Sequence, residues 1–254
     1  MFKPHFFRCP TDNDRGFGNW LAKDWSRQKL DSLTDLVVQS PEEKVLADGS
    51  VERAETHLYQ TLGGAIRTRF VITSRTDGSI DFHAEFSPEG DLPPLPALGV
   101  TFTLPESLRY LEYFGLGPVD NYPDRREAAT LGRYESSVDN QYVHYPRPQD
   151  SGNHGQTRWL TLTDGAGNGW LVSARQPTAH FDFSALPYSI GQLMGTAHDL
   201  DLKAEKAVFL NIDAAVMGLG NSSCGPGVLT RYAIPLREHS LDLRFTPIKG
   251  EMLK

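Results

Sequence analysis

The sequence predicts an all-β protein: one large antiparallel β-sandwich fronted by an N-terminal loop and a short helix. Three observations carry this. Apolar residues recur with a period of two between Asp31 and Pro105, and again from Thr157 onward. One early stretch, Asn19 to Leu30, has helical spacing. Dense segments of glycine, proline, aspartate and asparagine, at 6–18, 113–126 and 217–227, punctuate the strands. No repeat, low-complexity tract or linker divides the chain. Residues 1–30 are therefore expected to pack as a loop and helix on a sandwich of residues 31–254.

Taken in order, Met1 to Arg8 lacks the apolar core of a signal peptide, and Phe6 and Phe7 read as core residues of something preceding them. Cytoplasmic residence is the expectation, with the periplasm as the alternative. In the first dense segment Asp12, Asn13 and Asp14 invite a calcium reading. The loop lacks the regular ligand spacing and closing glutamate of an EF-hand, so hydrogen bonding of its own backbone is the expected use. In the helix, Asn19 is the expected cap, and Trp20, Leu21 and Trp25 are expected to share a core face.

Strands are expected at Arg67–Ser74, Ile80–Phe86 and Val100–Leu104, with Ile80, Phe82, Ala84 and Phe86 on one face. Asp77-Gly78 marks a hairpin, and Glu89–Pro96 is too proline-rich for a strand. His83 falls on the polar face. Tyr113-Phe-Gly-Leu-Gly-Pro-Val-Asp-Asn-Tyr-Pro-Asp-Arg-Arg126 reads as a rigid loop. Gly115 and Gly117 supply unusual backbone angles, and Asp124 and Arg125 close it as a charge pair. Ala129 to Glu135 is a strand, and Val138 to Gly155 is a long polar-aromatic loop of the kind that often carries function. Further strands are expected at Thr157–Thr163, Trp170–Ala174, His180–Phe183, Lys206–Asp213, Leu229–Pro235 and Leu241–Phe245, with a short helix within Tyr188–Ala197.

A net charge of −7 argues against a nucleic-acid or anionic-membrane surface. No apolar run is long enough for a helical membrane span. Cys9 and Cys224 read as free thiols. There is no Gly-x-Ser-x-Gly, His-Glu-x-x-His, Walker loop or dinucleotide fingerprint, and Gly218-Leu-Gly220 is a bare Gly-x-Gly. A glycosidase needs two converging carboxylates. Asp12, Asp14, Asp120, Asp124 and Asp150 are candidates, but sequence alone pairs none of them. An epimerase needs an acid and a base; His144, His154, His180 and His198 with Glu112 or Glu135 supply the types without a reason to converge. Loop aromatics beside amides, carboxylates and arginines are compatible with a carbohydrate site.

Three ordered segments carry a resemblance: Phe7-Arg-Cys-Pro-Thr-Asp-Asn-Asp14, Phe114-Gly-Leu-Gly-Pro-Val-Asp-Asn-Tyr-Pro-Asp-Arg125 and Leu210-Asn-Ile-Asp-Ala-Ala-Val-Met-Gly-Leu-Gly220. Together they resemble the C-terminal small-chain region of glycoside hydrolase family 2 β-galactosidases over nearly the whole chain. The resemblance implies a β-supersandwich of galactose mutarotase type. It implies a partner, a (β/α)8 catalytic barrel or large subunit, which this chain lacks. That barrel carries the two glutamates of a retaining mechanism and, where present, Mg and Na; no catalytic residue, cofactor or metal is implied here. The full enzyme is expected to be oligomeric, and the isolated chain inactive. A loop after the last strong strand is implied to reach the galactoside, in many members with a tryptophan. Here Cys224 holds that position, flanked by Asn221, Ser222 and Ser223, which could hydrogen-bond a sugar. An aldose epimerase of mutarotase type and a stand-alone carbohydrate-binding module are the alternatives.

Overall fold

The computed structural model describes residues 2–16 and 20–250. Its strands, in chain order, are β1 Phe2–His5, β2 Thr34–Val45, β3 Val51–Gln60, β4 Gly64–Ser74, β5 Ile80–Gly90, β6 Ala97–Pro105 and β7 Tyr110–Gly117. They continue as β8 Thr130–Ser137, β9 His154–Thr157, β10 Trp159–Thr163, β11 Gly169–Ala174, β12 Phe181–Leu186, β13 Ala207–Val216 and β14 His239–Ile248. Among the described residues, three short α-helices, α1 Asp12–Arg15, α2 Leu21–Arg27 and α3 Ile190–Gly195, lie between strands.

The strands form two sheets, a five-stranded one in the order β1-β6-β13-β12-β9 and a nine-stranded one in the order β2-β3-β4-β5-β14-β11-β10-β7-β8. Neighbours run antiparallel throughout. The expected antiparallel sandwich is therefore present. Period-two alternation builds it: β5 turns Phe82, Ala84 and Phe86 inward, and β13 turns Val208, Leu210 and Ile212 inward. Phe2 adds edge contacts to Phe70 and Phe82 at centroid distances of 5.0 and 5.2 Å. The Asp77-Gly78 hairpin joins β4 to β5, with Gly78 at φ +85.

The larger sheet overhangs the smaller. Every residue of β2 is exposed. Pro41 and the register shifts between Val37 and Gln39 and between Gln39 and Glu42 interrupt this edge, which discourages another strand from adding to it.

Several expectations are corrected. Phe6 is a core residue of this sandwich itself, 2 % exposed, packed edge-on against Tyr59 and Phe86. Residues 2–5 of the N-terminal segment pair with β6 as an edge strand. The Asn19 cap lies outside the described residues. The helix begins at Leu21, and Trp20, one residue before it, is 57 % exposed; its non-helical backbone takes it off the core face. Trp25 and Leu21 are buried as expected, and the Trp25 indole donates to the Pro94 carbonyl at 2.7 Å. Leu229–Pro235 is no strand but contains a 3-10 turn at Thr230–Tyr232.

The segment Tyr113–Arg126 is only half loop. Tyr113–Gly117 is the end of β7, paired with β8 and β10. Its glycines answer to crowding and not to unusual angles: a Cβ on Gly115 would meet Thr157 at 2.4 Å, and one on Gly117 would meet the Tyr113 hydroxyl at 2.3 Å.

Candidate functional site

The three motif segments meet at one place, the base of the loop that follows β13. Arg8 is 1 % exposed and lies at the centre. Its Nε and Nη2 form a two-pronged bridge to Asp14 at 3.0 and 2.7 Å. The same guanidinium donates to the Met217 and Gly218 carbonyls at 3.1 and 3.2 Å. It also stacks 5.6 Å from the Trp25 ring centre. Asp14 is in turn fixed by a capping box: it accepts from the Thr11 backbone N–H at 2.9 Å, while Thr11 caps α1. Of the three polar residues of the first dense segment, Asp14 hydrogen-bonds the segment's own backbone as expected, whereas the Asn13 side chain reaches a distant loop.

Asp124 holds the loop from the other side. Its two carboxylate oxygens accept from the Leu219 and Gly220 backbone N–H groups at 2.9 and 2.7 Å. Gly218 lies so close that a Cβ there would reach the carboxyl carbon at 2.6 Å. This replaces the expected Asp124–Arg125 charge pair, which is not formed; Arg125 instead pairs its backbone with Tyr122. The physical reason is that paired backbone N–H donors turned toward Asp124 fully engage its oxygens.

Asn13 supplies the third hold. Its side-chain amide donates to the Gly220 carbonyl at 2.6 Å, and its oxygen accepts from the Ser223 backbone N–H at 3.2 Å. The Ser222 hydroxyl donates to the Asn13 carbonyl. Gly16 is packed so tightly on the loop that a Cβ would sit 2.5 Å from the Ser222 carbonyl oxygen. Within the loop, the Asn221 N–H donates to the Pro226 carbonyl at 2.8 Å and the Cys224 N–H donates to the Asn221 carbonyl at 3.1 Å. Gly220 has φ +67, a left-handed conformation that favours glycine.

The four sequence-predicted site residues thus divide. Ser222 is buried and its hydroxyl is engaged at the base. Asn221, Ser223 and Cys224 are exposed at the tip, and the Cys224 thiol is free. Arg8, Asn13 and Asp124 were missed as loop holders. Their membership of the same three motifs as the loop is the signal that could have found them.

Beneath this knot lies a polar layer on the outer face of the five-stranded sheet. His5 Nδ1 and Asp213 Oδ1 are 2.7 Å apart and both buried. The Tyr122 hydroxyl donates to Asp150 at 2.7 Å. Burial, aided by the neighbouring Asp14 charge, pushes the Asp150 carboxyl up to about 6, while Arg8, the Tyr122 hydroxyl and His5 pull the other way. Much of the 138–155 segment packs into the fold. The Gln149 side chain accepts from the Asp12 N–H at 2.6 Å, and Ser151, Asn153 and His154 are buried. His154 lies 3.0 Å from the Tyr113 hydroxyl and 2.7 Å from the Gln141 side chain; burial pushes it down to about 4, so it stays neutral.

The acid-base candidates do not converge. Glu112 and Glu135 both neighbour Arg133 on β7 and β8. His144 pairs with Asp199 at 2.9 Å. Asp182 and Asp213 face each other across β12 and β13, but Asp213 is 2 % exposed and engaged with His5. A second feature, absent from the sequence reading, is a cleft beside Asp182 and Gln156; Gln156 has φ +53 without being glycine.

The family model for the β-galactosidase small chain matches residues 1–246. A β-galactosidase of Vibrio cholerae serotype O1 is 34% identical over 230 residues, covering 86% of this chain and 21% of the relative. β-Galactosidase BgaC of Bifidobacterium adolescentis is 33% identical over 238 residues, covering 90% of this chain and 22% of the relative. One of Priestia megaterium is 32% identical over 222 residues, covering 86% and 20%. The chain thus spans about a fifth of the length of these relatives. Among solved structures, a putative aldose 1-epimerase of Escherichia coli K12 aligns with a TM-score of 0.41 at 10% identity, over 82% of this chain and 68% of that one.

Proposed function

We propose that this chain, which belongs to the β-galactosidase small-chain family, is the non-catalytic part of an enzyme that hydrolyses terminal β-D-galactosides. In this reading it docks on a catalytic barrel, carried either on the same polypeptide or on a larger subunit, and completes the rim of that barrel's sugar pocket. The reacting carboxylates belong to the barrel. The observation that carries the proposal is the convergence of all three motif segments on one loop. Arg8, Asn13, Asp14 and Asp124 fix residues 217–220 and leave Asn221, Ser223 and Cys224 presented at the tip. Holding a loop from its base while its tip stays open is how a scaffold pre-positions a contact for a separate surface.

Asn221 and Ser223 offer hydrogen-bonding groups to sugar hydroxyls. Cys224 offers a small polarizable surface in place of an indole, so the aglycone is gripped less by stacking and more by the partner's own groups. The test is complementation. Mixing this chain with a β-galactosidase catalytic chain lacking its small-chain region should restore hydrolysis of a chromogenic galactoside. Hydrolysis by the isolated chain alone would overturn the proposal.

A further inference from the structure

Beside the loop, where β12 and β13 meet the segment Thr230–Pro235, lies a cleft of about 300 Å³. That is the lower end of the size range of small-molecule sites, roughly 300–1,000 Å³. Arg126 and Arg231 stand at the rim, and among the described residues neither is in an ion pair. Arg231 lies 4.7 Å from the Tyr232 ring centre, which orients its guanidinium without neutralising it.

Gln156 lines the cleft. Its backbone is left-handed, and it is held there from several sides. Its N–H donates to Asp182 Oδ1 at 3.2 Å, the Arg158 guanidinium donates to its carbonyl, and the preceding Gly155 N–H donates to Asn121 at 3.0 Å. A non-glycine residue in this conformation costs on the order of 1 kcal/mol or more, and persists where the surroundings enforce it. Strain of this kind concentrates at ligand sites because it aims a side chain the relaxed backbone would not. Among the described residues the Gln156 amide has no hydrogen-bond partner, and it lines the cleft. Asp182 lies beside it. Burial, reinforced by Asp213 across the strand pair, pushes this carboxyl up to about 6.

We infer that this cleft binds a hexose-sized sugar acid, a hexuronate. The chemistry follows from the signs of the groups. The ligand carboxylate takes the Arg126 and Arg231 guanidiniums. Ring hydroxyls donate to Asp182 and accept from Gln156. A neutral sugar brings no charge for the two arginines to pair with, and among the lining residues Asp182 alone brings a carboxylate near Arg126. Inorganic phosphate satisfies the arginines but sets its own charge against Asp182. A singly charged polyol carries both complements. Nothing in this inference depends on the galactoside reading.

Calorimetry on the full 254-residue chain with galacturonate, galactose and inorganic phosphate tests it. Galacturonate should bind with a Kd on the order of 1 mM, and galactose roughly tenfold more weakly or worse. Arg126→Gln, on the exposed rim where folding is not at stake, should weaken galacturonate binding several-fold, and Asp182→Asn likewise. Gln156→Gly should raise Tm while weakening binding, because glycine relaxes the backbone and removes the amide. The inference is overturned if galacturonate gives no heat up to about 10 mM, if galactose or phosphate binds as well as galacturonate, or if these variants leave binding unchanged.

Discussion

The inner face of the five-stranded sheet buries Val100, Phe183, Leu210 and Ile212 against the larger sheet. Its outer face carries His5, Thr101, Asn211 and Asp213, all buried too. The same strands alternate between these two environments, residue by residue. Inside, contacts are non-directional: aromatic and aliphatic groups of about the right volume hold the sheets together. Outside, contacts are directional. Thr101 donates to Asn211 at 2.6 Å, Asn211 donates to Ser184 at 3.0 Å, and His5 meets Asp213. The inner face accounts for the existence of the sandwich. The outer face sets where the covering segments lie, and the Arg8–Asp14 bridge above it sets where the loop after β13 lies.

Breaking the directional side should therefore move the loop, while damage to the apolar side should cost stability alone. The largest effect is expected for Arg8→Met. It leaves Asp14 buried without its charge partner and frees two loop carbonyls, and should cost about 3–5 kcal/mol in urea denaturation. Proteolytic cleavage within residues 217–228 should rise at the same time. Phe86→Ala should cost a comparable amount, about 3–5 kcal/mol, without raising cleavage in that loop beyond what global unfolding explains. Equal cleavage in the two variants at matched stability would erase the distinction.

Asp124→Ala is a more selective break. Two backbone N–H donors lose their acceptor, which costs about 1–3 kcal/mol, with the loss confined to the loop. In the complementation assay this variant should lower activity by more than its loss of stability accounts for. If activity is unchanged, Asp124 serves the fold and not the loop's placement.

The polar layer also has a pH signature. Asp150 binds its proton more tightly in the folded protein than in the unfolded chain, since its folded value is raised to about 6 from 3.8. A carboxyl shifted upward penalises folding when ionised, so the penalty is full above about pH 6 and fades as pH falls toward 4. Asp150→Asn cannot ionise and its carbonyl still accepts from Tyr122. Compared with the parent, it should gain about 1 kcal/mol more stability at neutral pH than near pH 4.5. A difference independent of pH would mean that the layer accommodates this charge without strain.

The apolar half of the molecule was largely legible in the sequence, because a period of two is a local signal. Phe82, Ala84 and Phe86 can be assigned to one face from three adjacent pairs of residues. The directional half was not, because its partners are distant: Arg8 reaches residues 209 and 210 positions away, and Asp124 reaches residues 95 and 96 positions away. Local chemistry even misdirects here. Asp124 and Arg125 are adjacent and opposite in charge, yet Asp124 sits in the turn that the Tyr122–Arg125 backbone pair closes, and its carboxylate accepts from a loop in another part of the chain. The family motifs carried the missing information, since the three segments they marked are those that meet. Gln156 and Asp182 belong to no such motif, and only the φ of Gln156 shows that its position is unusual.

The two tryptophans of the N-terminal helix give the finest version of the comparison. Spacing alone puts Trp20 and Trp25 on one face, but helical spacing counts only within a helix, and α2 starts at Leu21. Trp25 is fully buried, donates to Pro94 and underlies the Arg8 guanidinium, so it belongs to both halves at once. Trp20 is 57 % exposed. Trp20→Ser should therefore change stability by less than about 0.5 kcal/mol and leave loop cleavage untouched, whereas Trp25→Phe removes one hydrogen bond and part of the stacking surface under Arg8. If Trp20→Ser instead weakened complementation with the catalytic chain while leaving stability alone, that exposed ring would be part of the docking surface. Measuring both quantities on the one variant separates an idle surface tryptophan from a contact.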